Sequence, residues 1–192
     1  YDPQCSWFLL GEILRRLDHE AASAEFNRIL SQRLLDPLNL HNTTCGLEPN
    51  AAIRLADRLP VVFERDKGQL VESNYGRIPW TTQASPGAAF RGPVRELGRF
   101  YEMLLRGGQT SSGERLLAEN LVRQMVERHR TGEFDQTLQH KVDFGLGVVC
   151  NSNRYGAESV PYGFGQYSHE ATYGHGGAQC SMGFCDSARQ LV

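Results

Sequence analysis

Leu10, Ile13, Leu14 and Leu17 recur at i, i+3, i+4 and i+7, the spacing that gathers apolar side chains on one face of a helix. The pattern predicts a helix from about Ser6 to Asp18 whose stripe packs a core. Phe26, Ile29, Leu30 and Leu34 repeat the spacing and predict a second helix over about Ala21 to Leu35. Asp36-Pro37 should stop it, because the residue before proline avoids helical backbone. Leu38-Asn39-Leu40 is then expected to turn and close a helical layer. Between Leu47 and Pro86 the period is lost, and Pro60, Gly68, Gly76, Pro79 and Pro86 cut the chain into short pieces such as the β-prone Pro60-Val61-Val62-Phe63. Excursion loops with minor strands are expected there, a natural place for substrate specificity.

Helical spacing returns after Pro93, a good first-turn residue, with Val94, Leu97, Phe100, Tyr101 and Leu104 expected inward and Gly107-Gly108 as the stop. A further helix is predicted over about Ala118 to Arg128 from Leu121, Val122, Met125 and Val126. Phe144-Gly145-Leu146-Gly147-Val148-Val149 reads as one buried strand, with glycines where neighbours approach closely. Residues 151 to 172 form a loop rich in glycine and tyrosine. Tyr173 to Gly177 and Ser181 to Cys185 read as strands, and Asp186 to Gln190 as a hairpin turn.

With 40% hydrophobic and 22% charged residues and a net charge of −2, the chain has the composition of a folded domain with enough apolar side chains for a core. Lys67 and Lys141 are the only lysines among 20 basic residues, and the arginines form no cluster. Nucleic acid is therefore not expected as a partner. Apolar runs are only a few residues long, too short to span a bilayer. Cys5, Cys45, Cys150, Cys180 and Cys185 form an odd set without a C-x-x-C pair, which argues against a disulfide framework or a zinc site. Free thiols lean toward a reducing compartment, with cytoplasm and periplasm both left open. His169-Glu170 followed by His175 is not the H-E-x-x-H spacing, and Gly174 to Gly177 lacks the Gly-Lys-Ser/Thr of a phosphate loop. No metal and no cofactor are expected.

Two short stretches carry the candidate chemistry. Tyr1-Asp2-Pro3 runs directly into the first predicted helix, and His175-Gly176-Gly177 lies in the strand Tyr173 to Gly177. The first resembles the Tyr-x-Asn motif, and the second the Lys-Thr-Gly box in its relaxed His-x-Gly form, of the serine β-lactamase and penicillin-binding superfamily, in its esterase-like branch. Pro86-Gly87-Ala88-Ala89-Phe90, the helix around Glu96 to Phe100, the Gly113 to Leu117 connection and Phe144 to Gly147 fall in that superfamily's order. The resemblance thus covers essentially the whole chain. It implies an α+β, β-lactamase/transpeptidase-like fold, an antiparallel sheet flanked by helices plus a mostly helical lobe. On this reading residues 1–192 are the C-terminal portion of one catalytic domain, with 1–140 mostly helical lobe and loops and 141–192 the sheet strands. The third motif of the superfamily, Ser-x-x-Lys, is missing, since Glu64 and Leu138 stand three residues before the two lysines. That motif precedes the tyrosine motif in the superfamily, so the chain is expected to be an internal piece of a larger enzyme, cut at both ends.

The resemblance implies acyl transfer through a serine ester. Tyr1 would be the proton shuttle, and because a phenol of pKa ~10 is a poor base at neutral pH it needs nearby cations, of which protonated His175 would be one. The N–H of Ala178 would be the second oxyanion donor, and Gly176 and Gly177 would let the strand approach the acyl group. Tyr1 and His175 are expected to wall one cleft. Taken singly, Tyr1 is also compatible with a packing role, and His175 with a polar residue satisfied on an edge strand. Where a β-lactamase has Lys-Thr-Gly this chain has His-Gly-Gly, and Pro3 stands where the tyrosine motif usually has Asn. A permanent cation, a hydroxyl and an amide that would grip a charged amide substrate are lost, which favours neutral esters. The expected partner is a small ester or amide; oligomeric state has no signature in the sequence. The alternatives are a true β-lactamase or D-alanyl peptidase, and a non-catalytic module that keeps the fold and binds without turnover. Because no serine has a lysine three residues on, this 192-residue chain by itself should remain unlabelled by a fluorophosphonate probe; stoichiometric, heat-sensitive labelling of one serine would place the nucleophile inside it.

Overall fold

In the computed structural model, which describes residues 2, 5–18, 26–74, 82, 84–157, 163–177 and 181–192, the chain forms two compact units, 2–93 and 94–192. The first begins with α1 (Cys5–Leu17). Asp2 starts this helix, its Oδ1 accepting the Cys5 N–H at 2.7 Å and satisfying a first-turn donor that the helix leaves open. Glu12 is clamped by Arg15 and Arg16, both at 2.7 Å, and hydrogen bonds from Arg15 and then Arg16 hold its carboxyl down at about 2. The helical period is as expected but the buried face is not. Leu10, Ile13, Leu14 and Leu17 are exposed, while the side turned inward carries Trp7, Gly11, Arg15 and Asp18. Gly11 alone is fully buried, in a contact so close that a Cβ would lie 2.9 Å from Pro86 Cγ. Backbone-level approach through a glycine selected this face, and apolar content did not.

The second helix is α2 (Phe26–Leu30), continued by a π-helical turn, Ser31–Leu35, that the Asp36 N–H closes on Ser31 O at 2.9 Å. Ile29, Leu30, Leu35, Leu38 and Leu40 are buried. β1 (Thr44–Cys45) pairs antiparallel with β4 (Phe90–Arg91). The stretch expected to be loops and minor strands holds a short helix, α3 (Pro49–Arg54), with proline in its first turn. It also holds a hairpin of β2 (Phe63–Asp66) and β3 (Gln69–Glu72). Pairing starts at Phe63, at the end of the β-prone piece. Its two-residue turn, Lys67-Gly68, has φ of 46° and 84°, the doubly positive geometry that matches strand twist.

The second unit opens with α4 (Val94–Leu105), which buries Glu96, Tyr101, Met103 and Leu104. Val94 and Leu97, expected inward, are 85% and 42% exposed, while Glu96 in the same turn is buried. Gly107 and Gly108 end it at positive φ, donating back to Leu104 O and Met103 O. α5 (Glu119–Val126) buries Val122 and leaves Leu121 exposed. A two-stranded piece, β5 (Phe134–Asp135) with β6 (His140–Lys141), precedes the main sheet. That sheet comprises β7 (Asp143–Phe144), β8 (Val149–Cys150), β9 (Tyr173–Gly176) and β10 (Met182–Cys185), antiparallel in the order β10-β9-β8-β7. Phe144 to Val149 is therefore two strands and not one. The Gly145 N–H donates to Val148 O, and Gly147 takes φ 80°. Val142, Phe144, Val149 and Phe164 form the sheet's core, joined by Leu138, Met182 and Phe184.

Asp143, fully buried, sits at the centre of this unit. Its carboxylate accepts from Arg128 Nε at 3.2 Å, from the Tyr155 hydroxyl at 2.9 Å and from the Gly132 N–H at 3.2 Å, and Arg154 lies 2.7 Å away. Asp143→Asn should lower stability in urea denaturation by about 3 kcal/mol, because it leaves two guanidinium groups facing a buried amide. Arg154→Ala should cost no more than about 1 kcal/mol, since that side chain is 53% exposed. Equal losses for the two variants would remove Asp143 from its central place.

Candidate active site

The strand β9 carries His175 and Gly176, with Gly177 next along the chain. Its path is set by close approach to β10. At Gly174 a Cβ would fall 2.3 Å from Gly183 O and 2.6 Å from Phe184 Cα, both main-chain atoms that cannot swing aside. The register pairs Gly174 with Phe184, His175 with Gly183 and Gly176 with Met182, and the Gly177 N–H extends the ladder to Ser181 O at 2.7 Å. On the other side β8 pairs only with Tyr173 and Gly174. β9 is thus an inner strand for half its length and, among the described residues, an edge from His175 onward. The expected edge position holds for the His-Gly-Gly stretch alone.

Because Gly177 donates toward β10, strand alternation turns the main chain of Gly176 toward the side β8 leaves open. His175, half-buried, sets its Nδ1 2.5 Å from Gly176 O. A carbonyl only accepts, so Nδ1 carries the proton of this contact, and in the neutral ring Nε2 is the acceptor nitrogen. Gly177 is packed as closely as Gly174, since a Cβ there would lie 2.2 Å from Ser181 Oγ. Tyr1 and Ala178 lie outside the described residues. The structure therefore brings together His175, Gly176 and Gly177 of the expected site.

Beneath the strand lie three groups that the sequence did not single out for the site. Tyr173 and Cys185 face each other across the β9–β10 register, 4% and 0% exposed. Burial, first, and Cys185 beside it, second, push the Tyr173 phenol well above its usual range. Burial likewise raises Cys185, and raises Tyr101 to about 12 against the pull of the His175 backbone. All three stay protonated at neutral pH, so this layer is polar but uncharged. Cys45 and Cys150 are raised by burial too, which makes the buried thiols poor nucleophiles.

The long loop before β9 is stapled at its root. The Asn151 N–H donates to Thr172 O at 2.8 Å, and its side-chain amide donates to Ser168 Oγ at 2.8 Å and His169 O at 3.0 Å. Asn151 Oδ1 in turn accepts the Asn153 N–H at 2.8 Å. Asparagine at the entry of a glycine-rich loop was the available signal, since its side chain imitates a turn of backbone.

The Beta-lactamase family model matches residues 4–192. Among solved structures the chain is similar to a penicillin-binding protein homologue from Caulobacter crescentus, at 21% identity and a TM-score of 0.68 over 96% of this chain and 48% of that one. It is similar to EstCE1, described as a hydrolase with promiscuous acyltransferase activity, at 16% identity and a TM-score of 0.69 over 100% and 49%. A family VIII carboxylesterase matches at 18% identity and a TM-score of 0.62 over 94% and 47%. The chain spans about half the length of these structures, and they share its mixed α+β fold of helices and small antiparallel sheets. A search of curated proteins finds no match. Among the described residues no helix is long and apolar enough to cross a membrane.

The raised phenols make stability fall at alkaline pH. An unfolded tyrosine ionises near 10.0 whereas Tyr101 holds its proton to about 12, so the folded state binds more protons in that interval. The stability this contributes is fully present below pH 10 and lost as pH rises toward 12. Thermal melts across pH 9 to 12 should show a decline that is shallower in Tyr173→Phe and in Tyr101→Phe; a decline unchanged in both variants would show that neither phenol is held protonated by the fold.

Proposed function

The chain belongs to the Beta-lactamase family, and on that footing we propose that the protein it forms part of is a serine hydrolase working through an acyl-serine intermediate on small neutral esters. Residues 1–192 would contribute the C-terminal portion of its catalytic domain, the nucleophilic serine and its lysine coming from sequence outside them. In this reading Tyr1 relays the serine proton to the departing alcohol, and His175 is the cationic or orienting partner of that relay. The N–H of Ala178 is an oxyanion donor, and Gly176 and Gly177 admit the acyl group. Water then attacks the acyl-serine, and its proton returns along the same relay. The reading needs no cofactor.

One observation carries it: the His-Gly-Gly stretch lies where β9 outruns β8, with one main-chain side that no described strand pairs. Polar backbone groups on such an edge suit a flat acyl group that accepts hydrogen bonds. The choice of esters over β-lactams rests on histidine and glycine in place of the lysine and threonine of the Lys-Thr-Gly box, and on Pro3 in place of asparagine. The layer beneath, Tyr101, Tyr173 and Cys185, is uncharged and offers no counter-ion to a carboxylate. The similarity to EstCE1, a hydrolase, and to a family VIII carboxylesterase points the same way.

Steady-state kinetics of the full-length protein with a short-chain aryl ester and a cephalosporin test this. Tyr1→Phe should lower kcat for the ester by about 10²–10⁴-fold with KM nearly unchanged, because only the proton relay is lost. His175→Ala should do less, since water can partly replace an orienting side chain while a main-chain donor survives. A cephalosporin turned over faster than the ester would make the protein a β-lactamase or D-alanyl peptidase. A wild-type kcat in Tyr1→Phe would remove the relay, and turnover of neither substrate would leave a non-catalytic binding module.

A further inference from the structure

α4 packs on β10, and the contact is unusually intimate at one point. Gly183 lies directly opposite His175 in the β9–β10 register. A Cβ at Gly183 would fall 2.4 Å from Tyr101 Cε2 and 3.1 Å from Leu97 Cδ2. The Tyr101 ring therefore rests on bare backbone. Phe100 meets it edge-on at 5.4 Å and 80°, and Met103 and Leu104, 1% and 2% exposed, root the helix immediately beyond it. Tyr101 itself is 7% exposed. At His175 β9 has lost its β8 neighbour and, among the described strands, keeps only β10. A strand held by one ladder is free to rise or tilt out of the sheet unless something on its face restrains it.

We infer that Tyr101 is a positioning residue for this site, its ring seated on Gly183, the residue opposite His175, so that the His175–Gly177 segment stays at a fixed height above α4. The catalytic part of this inference rests on the hydrolase reading. The oxyanion donor and the glycines of that reading are main chain, and main-chain donors act only where the strand places them. Tyr101 touches no reacting atom and works through the strand.

Tyr101→Leu takes the ring off its seat, whereas Tyr101→Phe keeps it. In the full-length protein Tyr101→Leu should lower kcat for the aryl ester by about tenfold with KM within about twofold, the pattern of a displaced main-chain group, and Tyr101→Phe should leave both near wild type. In Tyr101→Leu amide hydrogen exchange at His175 should speed up by about five- to tenfold as its single ladder to β10 loosens, while Val149 and Cys150 in β8 stay unchanged. Gly183→Ala, which pushes the ring off its seat, should show the same two effects. Unchanged exchange at His175, or a rise spread equally over all sheet amides, would overturn the inference and leave Tyr101 a packing residue. If the wild-type protein turns over neither ester nor cephalosporin, the hydrolase reading falls alone. The exchange result then still decides: a rise confined to His175 and its neighbours upholds the anchor, and no rise rejects it.

Discussion

The unit that carries the candidate site hangs on one buried carboxylate. Asp143, with no exposed surface, receives Arg128 from the end of α5, Gly132 from the following loop, and Arg154 and Tyr155 from the turn after β8. Burying a charge is costly unless its lone pairs are filled, and here four donors of three kinds fill them. Arg128 then reaches on to the carbonyls of Asn151 and Glu170, the two flanks of the loop that leads into β9. Asp186, 2% exposed, repeats the device at the other end, accepting the N–H groups of His169 and Arg189 and the Arg189 guanidinium. Burial alone would raise its pKa, and these donors outweigh burial and hold it below the usual carboxylate range. Long irregular segments have backbone groups that no ladder satisfies, and buried aspartates supply the missing partners.

A sheet built this way can be thin. Its strands are two to four residues long, so hydrogen-bond ladders alone would hold them weakly. Close approach compensates. Glycines at 174 and 183 bring β9, β10 and α4 to distances no side chain would permit, and dispersion contacts grow steeply as surfaces close. The same closeness couples the helix to the strand. A shift of α4 along its axis would drag the Tyr101 ring across Gly183 and move the backbone at His175, so helix packing and site geometry are one variable.

Much of this was legible in the sequence because periodicity reports what a helix or strand is, independent of what it touches. The helices at Cys5–Leu17 and Glu119–Val126, the stop at Gly107-Gly108, β9 with β10, and the turn that Asp186 and Leu191 close all lie where the pattern placed them. Which face is buried is a different question. In α1 the leucine stripe is exposed and Gly11 faces inward, because a glycine against Pro86 allows an approach that no count of apolar residues predicts. Phe144 to Val149 read as one strand for a related reason. Continuous apolar character hides a turn when its glycines are taken for close packing alone, yet Gly147 at φ 80° bends the chain. Of the candidate site, His175, Gly176 and Gly177 were visible as a motif, whereas Tyr101, Asp143 and Asn151 were not. Each acts through partners distant in sequence, and a lone tyrosine, aspartate or asparagine in one chain carries no mark of them.

Charge decides what the surroundings of β9 can accept. Tyr101, Tyr173 and Cys185 are all pushed toward their neutral forms, in each case by burial first. Four arginines of this unit are committed to carboxylates: Arg128 to Asp143 as well as to two carbonyls, Arg130 to Asp135, Arg154 to Asp143 and Arg189 to Asp186. An anionic substrate group placed over the His-Gly-Gly stretch would have to draw on His175 or compete with a carboxylate for one of these arginines. A neutral acyl group asks for neither. The pairing of Asp135, Asp143 and Asp186 with these arginines, which helps hold the sheet, is thus in keeping with the proposed preference of the β9 edge for uncharged ligands.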